Sequence, residues 1–393
     1  MSARIAPLDV AFLLSCALHA VVKRLSRLWE RDETLWVFGA RGGEAFVDNA
    51  KYLYLHAQTR HEVRPVWLTR DREVVAELDQ QGFEAYHVRS LRGVAVSLRA
   101  GIVFVTHGLG DVNLPCAGGA TAVNLWHGIP LKRVGWDAER SKMPLPLRLA
   151  YEYLDREIDH LTVTSDAVVD PLASGLRVEP DRMFVSGYPR NDVLSEDVPG
   201  MGIGTDTTTI RRVRRLAARG RVIVYLPTFR EFTEEAVDDA IDFAELDAFL
   251  AARDAYFLIK AHPKERLTVD ESSLSRVVTL PPHVDVYPLL RHTDVLLTDY
   301  SSILFDYLLT DGRLVFYPYD LERYRANRPF YFEYDDVTPG PVARTFEELL
   351  DALAASLEGT DEFGDERRAV RERFFAHPPG GAAARVFDRF AGR

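Results

Sequence analysis

The stretch TDVLLTDYSSILFDYLLTD, Thr293–Asp311, holds a short apolar run, then a polar cluster, then an apolar run of a different period. Val295, Leu296 and Leu297 have the length of a buried strand, while Ile303, Leu304, Phe305, Tyr307, Leu308 and Leu309 recur at helical spacing. The cluster Thr298-Asp299-Tyr300-Ser301-Ser302 therefore stands at a strand C-terminus and a helix N-terminus, where open α/β sheets take their ligands. Free N–H groups and the positive end of the helix dipole favour an anion there, and two serine hydroxyls add donors of the kind a phosphate uses. The same residues also suit a plain serine N-cap. Asp299 fits either the orientation of a histidine or a ribose or polyol hydroxyl. Asp306 reads as a site residue or as a surface helix residue.

Outward from this unit the same alternation repeats. Apolar runs at Leu35–Phe38, Pro65–Leu68, Ile102–Val105, Ala122–Leu125, Leu161–Thr164 and Met183–Val185 are separated by amphipathic stretches such as Ala45–Thr59, Glu73–Gln80 and Pro146–Glu157. This is the rhythm of a parallel sheet with crossover helices. It lapses over Asp197–Thr209 and resumes with Val222–Leu226, Tyr256–Ile259, Val284–Val286, Val295–Leu297 and Leu314–Phe316. The reading is α/β, with an amphipathic N-terminal helix in residues 1–30, a Rossmann-like domain in 31–195, a linker in 196–220 and a second Rossmann-like domain with terminal helices in 221–393. The helices after about residue 345 are expected to pack back on the first domain. Two such domains face each other across a cleft lined by strand C-termini.

Bulk composition narrows the function. The 393 residues are 47% hydrophobic and 27% charged, enough for two domains with proper cores. A net charge of -11 argues against a nucleic-acid partner. The two cysteines, Cys16 and Cys116, make neither a metal spacing nor a disulfide framework, which points to a reducing compartment. No run is apolar and long enough for a membrane span. Leu8–Trp29 places Leu14, Leu18, Val21, Val22, Leu25 and Leu28 at helical spacing, with Lys23, Arg24, Arg27 and Arg31 at its far end. The charges follow the apolar part, unlike a signal peptide. The helix fits peripheral contact with a membrane interface, its basic end near anionic lipid, or packing on the protein's own core.

Candidate chemistry lies just after the strands. In Trp126-His127-Gly128-Ile129-Pro130-Leu131-Lys132, His127 is the side chain suited to take a proton near neutral pH, Gly128 permits close approach, and Lys132 suits a phosphate. In Lys260-Ala261-His262-Pro263, two basic side chains bracket one position and proline fixes the turn. Thr228 and Arg230, after Val222–Leu226, are donors for phosphate oxygens. Arg190 and Asn191, in Gly187–Asp192, make a similar exit, or a capped surface turn. Gly39-Ala40-Arg41-Gly42-Gly43 lacks the dinucleotide spacing and is placed on the acceptor side of the cleft. His56, His61, His87, His107 and His160 show no metal-ligand spacing and read as structural. No cofactor and no metal site is expected.

Five of these motifs, in order, carry a resemblance. WHGIPLK (Trp126–Lys132), GYPRND (Gly187–Asp192), YLPTFR (Tyr225–Arg230), IKAHP (Ile259–Pro263) and TDYSSILFDYL (Thr298–Leu308) together resemble the CDP-glycerol glycerophosphotransferase family of teichoic acid synthesis, from about Phe38 to Pro341. The resemblance implies a GT-B fold and transfer of glycerol phosphate or a related polyol phosphate from CDP-glycerol or CDP-ribitol to a lipid-linked or glycan acceptor, with release of CMP. The expected location is the cytoplasmic face of the membrane. It implies catalytic roles for His127, toward the acceptor, and His262, near the donor pyrophosphate. Donor contacts are then Thr228, Arg230, Lys260, Pro263, Thr298, Asp299, Ser301, Ser302 and Asp306, and acceptor or phosphate contacts Gly128, Lys132, Arg190, Asn191 and Arg328. The HP and SS pairs also resemble GT-B sialyltransferases, so a glycosyltransferase using a nucleotide sugar is the alternative. The chain departs from the family pattern at Arg328–Tyr334 and at His377–Ala382, positions assigned to the acceptor or the membrane.

Overall fold

A computed structural model describes residues 7–108, 110–230, 232, 240–261, 267, 269–282 and 284–392. The first sheet contains β1 (Asp32–Phe38), β2 (Arg64–Thr69), β3 (Ala85–His87), β4 (Ala100–Val105), β5 (Thr121–Asn124), β6 (His160–Val163) and β7 (Met183–Val185), in the order β3-β2-β1-β4-β5-β6-β7. The second contains β8 (Arg221–Leu226), β9 (Ala255–Ile259), β10 (Val277–Thr279), β11 (Val295–Thr298) and β12 (Arg313–Phe316), in the order β10-β9-β8-β11-β12. Neighbouring strands pair in parallel, as between β1 and β4 or β8 and β11. Both faces of each sheet are covered, which is why Val222–Leu226 and Val295–Thr298 are buried along their length and read as continuous apolar runs. Strand order reverses between β1 and β4 and again between β8 and β11. Crevices open at the C-terminal ends of those pairs.

Three strand assignments change. Ala85–His87 and Val277–Thr279 are strands of three residues each, too short to show a period. Val284–Val286 is not a strand; it leads into the short helix Tyr287–Leu290. The buried carboxylate of Asp285 explains this, since it pairs with Lys51 at 3.0 Å and accepts from Tyr52 at 2.7 Å, both from the first domain.

The terminal helices divide between the sheets. Phe346–Glu358 starts in a Thr345–Glu348 capping box and buries Leu349 and Leu353 against Val315 and Tyr317 of the second domain. Phe346–Glu358 thus stays with the second sheet, whereas the last helix, Ala382–Phe390, packs back on the first. Its Phe387 and Phe390 pack against Trp36 and Phe104, with ring centroids 5.0 and 5.7 Å apart. Asp192 anchors its start by accepting from the N–H groups of Ala382 and Ala383, each at 2.8 Å. The Gly380-Gly381 turn of the His377–Ala382 segment leads into this packed helix, and Gly381 takes φ +71°, a conformation glycine adopts at low cost.

The N-terminal helix, Pro7–Ser26, presents an apolar stripe to solvent, unlike an ordinary surface helix. Its inward side mixes polar and apolar groups: His19 and Lys23 both reach Glu157, at 2.8 and 3.0 Å, Ser26 is buried, and the Phe12 ring lies 5.0 Å from that of Tyr151. Its apolar side faces outward, with Leu14 and Leu18 about two-thirds exposed (67% and 65%). Val21, Leu25 and Leu28 continue the stripe, and Leu145 and Leu149 of the adjoining helix Leu145–Asp155 add to it. No described helix is long and apolar enough to cross a membrane.

Candidate active site

The first lip of the cleft is built where β1, β4 and β5 end. His127 follows β5 and is half-buried, in contact with two rings: Trp126 at 4.1 Å, tilted by 39°, and His107, parallel within 6°, at 4.3 Å. Its Nδ1 lies 3.2 Å from the carbonyl oxygen of Thr106. A carbonyl only accepts, so Nδ1 carries the proton and Nε2 keeps its lone pair. Among the described residues no hydrogen bond engages Nε2. This is the tautomer a general base requires. Burial, then the adjacent His107, pushes the His127 pKa down to about 3. Asp48 stands close by. Burial alone would raise its pKa, but Arg190 foremost, then His107 and His127, hold it down at about 2.

Backbone strain collects here. Arg41, Asp48 and Trp126 adopt φ of +46°, +66° and +55°, three of the five non-glycine residues in the left-handed region among the described residues, and all lie on this lip. Gly128 has φ +140°, and a β-carbon there would sit 2.8 Å from Ser302 Oγ and 3.1 Å from Arg190 Nη2. Both strain and contact forbid a side chain. Gly128→Ala is expected to destabilise the protein by about 1–3 kcal/mol and to lower turnover. Thermal unfolding and a turnover assay on the purified variant check this; a midpoint equal to that of the parent would refute it.

A buried charged network joins the two lips. Arg190 donates through Nη1 to Asp48 at 2.7 Å and to the His127 carbonyl at 2.9 Å, and through Nη2 to Asp306 at 2.7 Å. Asp306 also accepts from Asn191 at 3.0 Å and from Tyr287 at 2.6 Å. Arg190 and Asn191 are therefore neither a surface turn nor free phosphate ligands, and Asp306 is a fully buried anchor rather than a surface residue. A further seam lies along Arg328–Tyr334. The Tyr331 N–H donates to Leu131 O at 2.8 Å, Tyr331 Oη donates to Asp137 at 2.7 Å, and Arg328 pairs with Glu139 at 2.8 Å. This block stitches the domains together.

The second lip carries the residues that begin the chain's reading. Ser301 and Ser302 precede the helix Ile303–Tyr307 and are half-buried at the cleft. Ser301, Thr228, Lys132, Arg328 and Tyr324 line a cavity of about 410 Å³ between the domains. Lys260 follows β9, half-buried; burial, then Arg41 across the cleft, lowers its pKa to about 8. Other predicted donor contacts are committed elsewhere. Arg230 is buried, pairing with Asp299 and Asp320, both at 2.9 Å. Asp299 also accepts from the Thr228 N–H at 3.0 Å, and Thr298 Oγ1 donates to Leu226 O at 2.8 Å. These three brace the β8 and β11 exits through partners within the protein. The sequence gives no hint of this, because an arginine after a strand looks the same whether or not its carboxylate partners are already in place. His262 and Pro263 lie outside the described residues. The sequence reading missed Asp48, Asn49, Asp111 and Tyr287, and it took His107 as structural.

The electrostatics set a pH dependence. Between pH about 3 and the ordinary histidine value of 6.5, His127 is neutral when folded and protonated when unfolded. The unfolded chain binds the extra proton, so stability falls as pH drops through that window. Asp48, with a folded pKa of about 2 against 3.8, adds stability that is present above 3.8 and lost as pH falls toward 2. The unfolding midpoint is therefore expected to fall steadily from pH 6.5 to 4, and His127→Asn to flatten that decline. An equally steep decline in the variant would remove His127 as its source.

Two doubly wound domains meeting at a cleft lined by strand C-termini make a GT-B fold, and the family match makes the chain a transferase. The sequence matches the CDP-Glycerol:Poly(glycerophosphate) glycerophosphotransferase family over residues 21–391, and the chain belongs to that family. It is 26% identical over 390 residues to the teichoic acid glycerol-phosphate transferase of Staphylococcus aureus (strain NCTC 8325 / PS 47), covering 95% of this chain and 96% of that protein. It is 25% identical over 339 residues to the teichoic acid poly(glycerol phosphate) polymerase of Bacillus subtilis (strain 168), covering 81% of this chain and 43% of that one. Among solved structures, the wall teichoic acid polymerase TagF superposes with a TM-score of 0.76 at 22% identity, over 97% of this chain and 96% of that chain. The Neisseria meningitidis UDP-GlcNAc 2-epimerase shares the fold more distantly, with a TM-score of 0.58 at 12% identity over 91% and 99% of the two chains.

Proposed function

We propose that this chain transfers glycerol phosphate, or a related polyol phosphate, from a CDP-polyol to an acceptor hydroxyl and releases CMP. The observation that carries the reading is His127, whose Nδ1 is tied to the Thr106 carbonyl while Nε2 is left open. The acceptor oxygen forms a bond to the polyol-linked phosphorus as the bond from that phosphorus to the CMP oxygen breaks, and the acceptor proton passes to His127 Nε2. Lys132, Ser301 and Thr228 line the cavity where the donor phosphates would lie, and His262, outside the described residues, is assigned to the departing phosphate. Positioning and charge stabilisation supply the rate. Calorimetric titration with CDP-glycerol, CDP-ribitol, CMP-sialic acid and UDP-glucose tests the donor. Selective binding of a CDP-polyol is expected; preference for a nucleotide sugar would replace this reading with a glycosyltransferase.

The exposed apolar stripe of Pro7–Ser26 supports a lipid-linked acceptor reached from a membrane surface. Its exposed leucines gain free energy only in an apolar medium. The basic end contributes less than its sequence implies, because Lys23 pairs with Glu157, Arg27 donates to Gly118 O and Arg31 donates to Ser97 O and Ser26 O. Each inserted leucine is worth about 1.5–3 kcal/mol, so Leu14→Asp with Leu18→Asp is expected to cut partition onto phosphatidylglycerol-containing vesicles by at least about a hundredfold. Unchanged co-sedimentation would assign that face another role.

A further inference from the structure

His107 lies on the exit of β4 and faces the cleft, exposed, yet its position is closely fixed. Its N–H donates to Asp111 Oδ2 at 2.8 Å, the oxygen that also takes the Thr106 N–H at 2.7 Å, while the other carboxylate oxygen takes the Gly42 N–H at 2.6 Å. Asp111 itself is fully buried, so one carboxylate ties the β4 exit to the β1 exit. Thr106 then serves both imidazoles, with Oγ1 2.9 Å from His107 Nδ1 and its carbonyl 3.2 Å from His127 Nδ1. The two rings lie parallel within 6°.

A catalytic histidine is commonly oriented by a carboxylate on its second nitrogen. Here a carbonyl occupies that place, in a single bond about which the ring can still tilt. The faces of the ring must then be held by other means. His107 stacks flat on the ring at 4.3 Å, and Trp126 lies against it at 4.1 Å, tilted by 39°.

We propose that His107 is a positioning residue for the transfer, its ring clamping the His127 imidazole against Trp126 so that Nε2 points into the cleft and water is kept from its outer face. The inference rests on His127 as the base. The groups facing His127 are consistent with it: burial and the His107 and Arg190 charges disfavour its protonation, outweighing Asp48 and the Thr106 carbonyl, which favour it.

The test compares His107→Ala with His107→Phe, which restores a flat ring without ionisable nitrogens. Turnover is followed as CMP release from CDP-glycerol with an alkyl-linked glycerol phosphate as acceptor, and the His127 ring is titrated by NMR in protein labelled at histidine. His107→Ala is expected to lower kcat about tenfold, with KM for CDP-glycerol unchanged within about twofold, as for loss of orientation without loss of binding. Its His127 midpoint should move up toward the ordinary histidine range, and His107→Phe should recover most of kcat. An unchanged kcat or an unchanged midpoint in His107→Ala overturns the proposal, as does a His107→Phe enzyme as slow as His107→Ala. If His127→Ala also retained full turnover, the failure would lie with the assignment of the base; if only His107→Ala did, it would lie with the clamp alone.

Discussion

Replacing His127 with alanine will lower turnover by about a hundredfold or more, the usual contribution of a general base. The effect should fall on kcat with little change in KM for the donor, the pattern of the proposed role in which the imidazole takes the acceptor's proton. The parent enzyme carries a second signature. With the His127 pKa held near about 3, the acid limb of kcat/KM should lie well below the usual histidine range. A limb centred near 6.5, or a His127→Ala enzyme of near-parental turnover in folded protein, would remove this residue from the chemistry.

The largest stability effect is expected at Arg190. Its guanidinium is buried with Asp48 and Asp306, and Arg190→Met strands both carboxylates. Breaking a buried pair on one side costs about 3–5 kcal/mol. The loss should appear as a lower denaturant midpoint. Activity should fall with it, since the same side chain holds the His127 carbonyl. Arg190→Met combined with Asp306→Leu should recover part of the stability, because the second change removes a carboxylate left unpaired by the first. If Arg190→Met unfolds at the parental midpoint, the network is ornamental to the fold.

Much of this architecture was readable from the chain. Parallel sheets covered on both faces leave unbroken apolar runs, and the strand ends are marked by polar clusters such as Thr298–Ser302. His127 was visible because a histidine and a glycine directly follow such a run. What stayed hidden depends on partners distant in sequence. Arg230 looks like a phosphate ligand until Asp299 and Asp320 fold onto it. Asp306 looks like a helix surface until Arg190, 116 positions away, meets it. His107 carries no spacing signal, since a stack between the exits of β4 and β5 exists only in three dimensions. Val284–Val286 has the composition of a strand, but Asp285 is spent on Lys51 of the other domain.

The helix Ala382–Phe390 has one more consequence. It completes the aromatic cluster over Trp36 and Phe104, near the opposite end of the chain. During synthesis, the first sheet therefore emerges from the ribosome long before its cover does. Where domains tend to fold in the order of translation, this one stays open on one side, with Trp36 and Phe104 uncovered until residues 382–390 have been made.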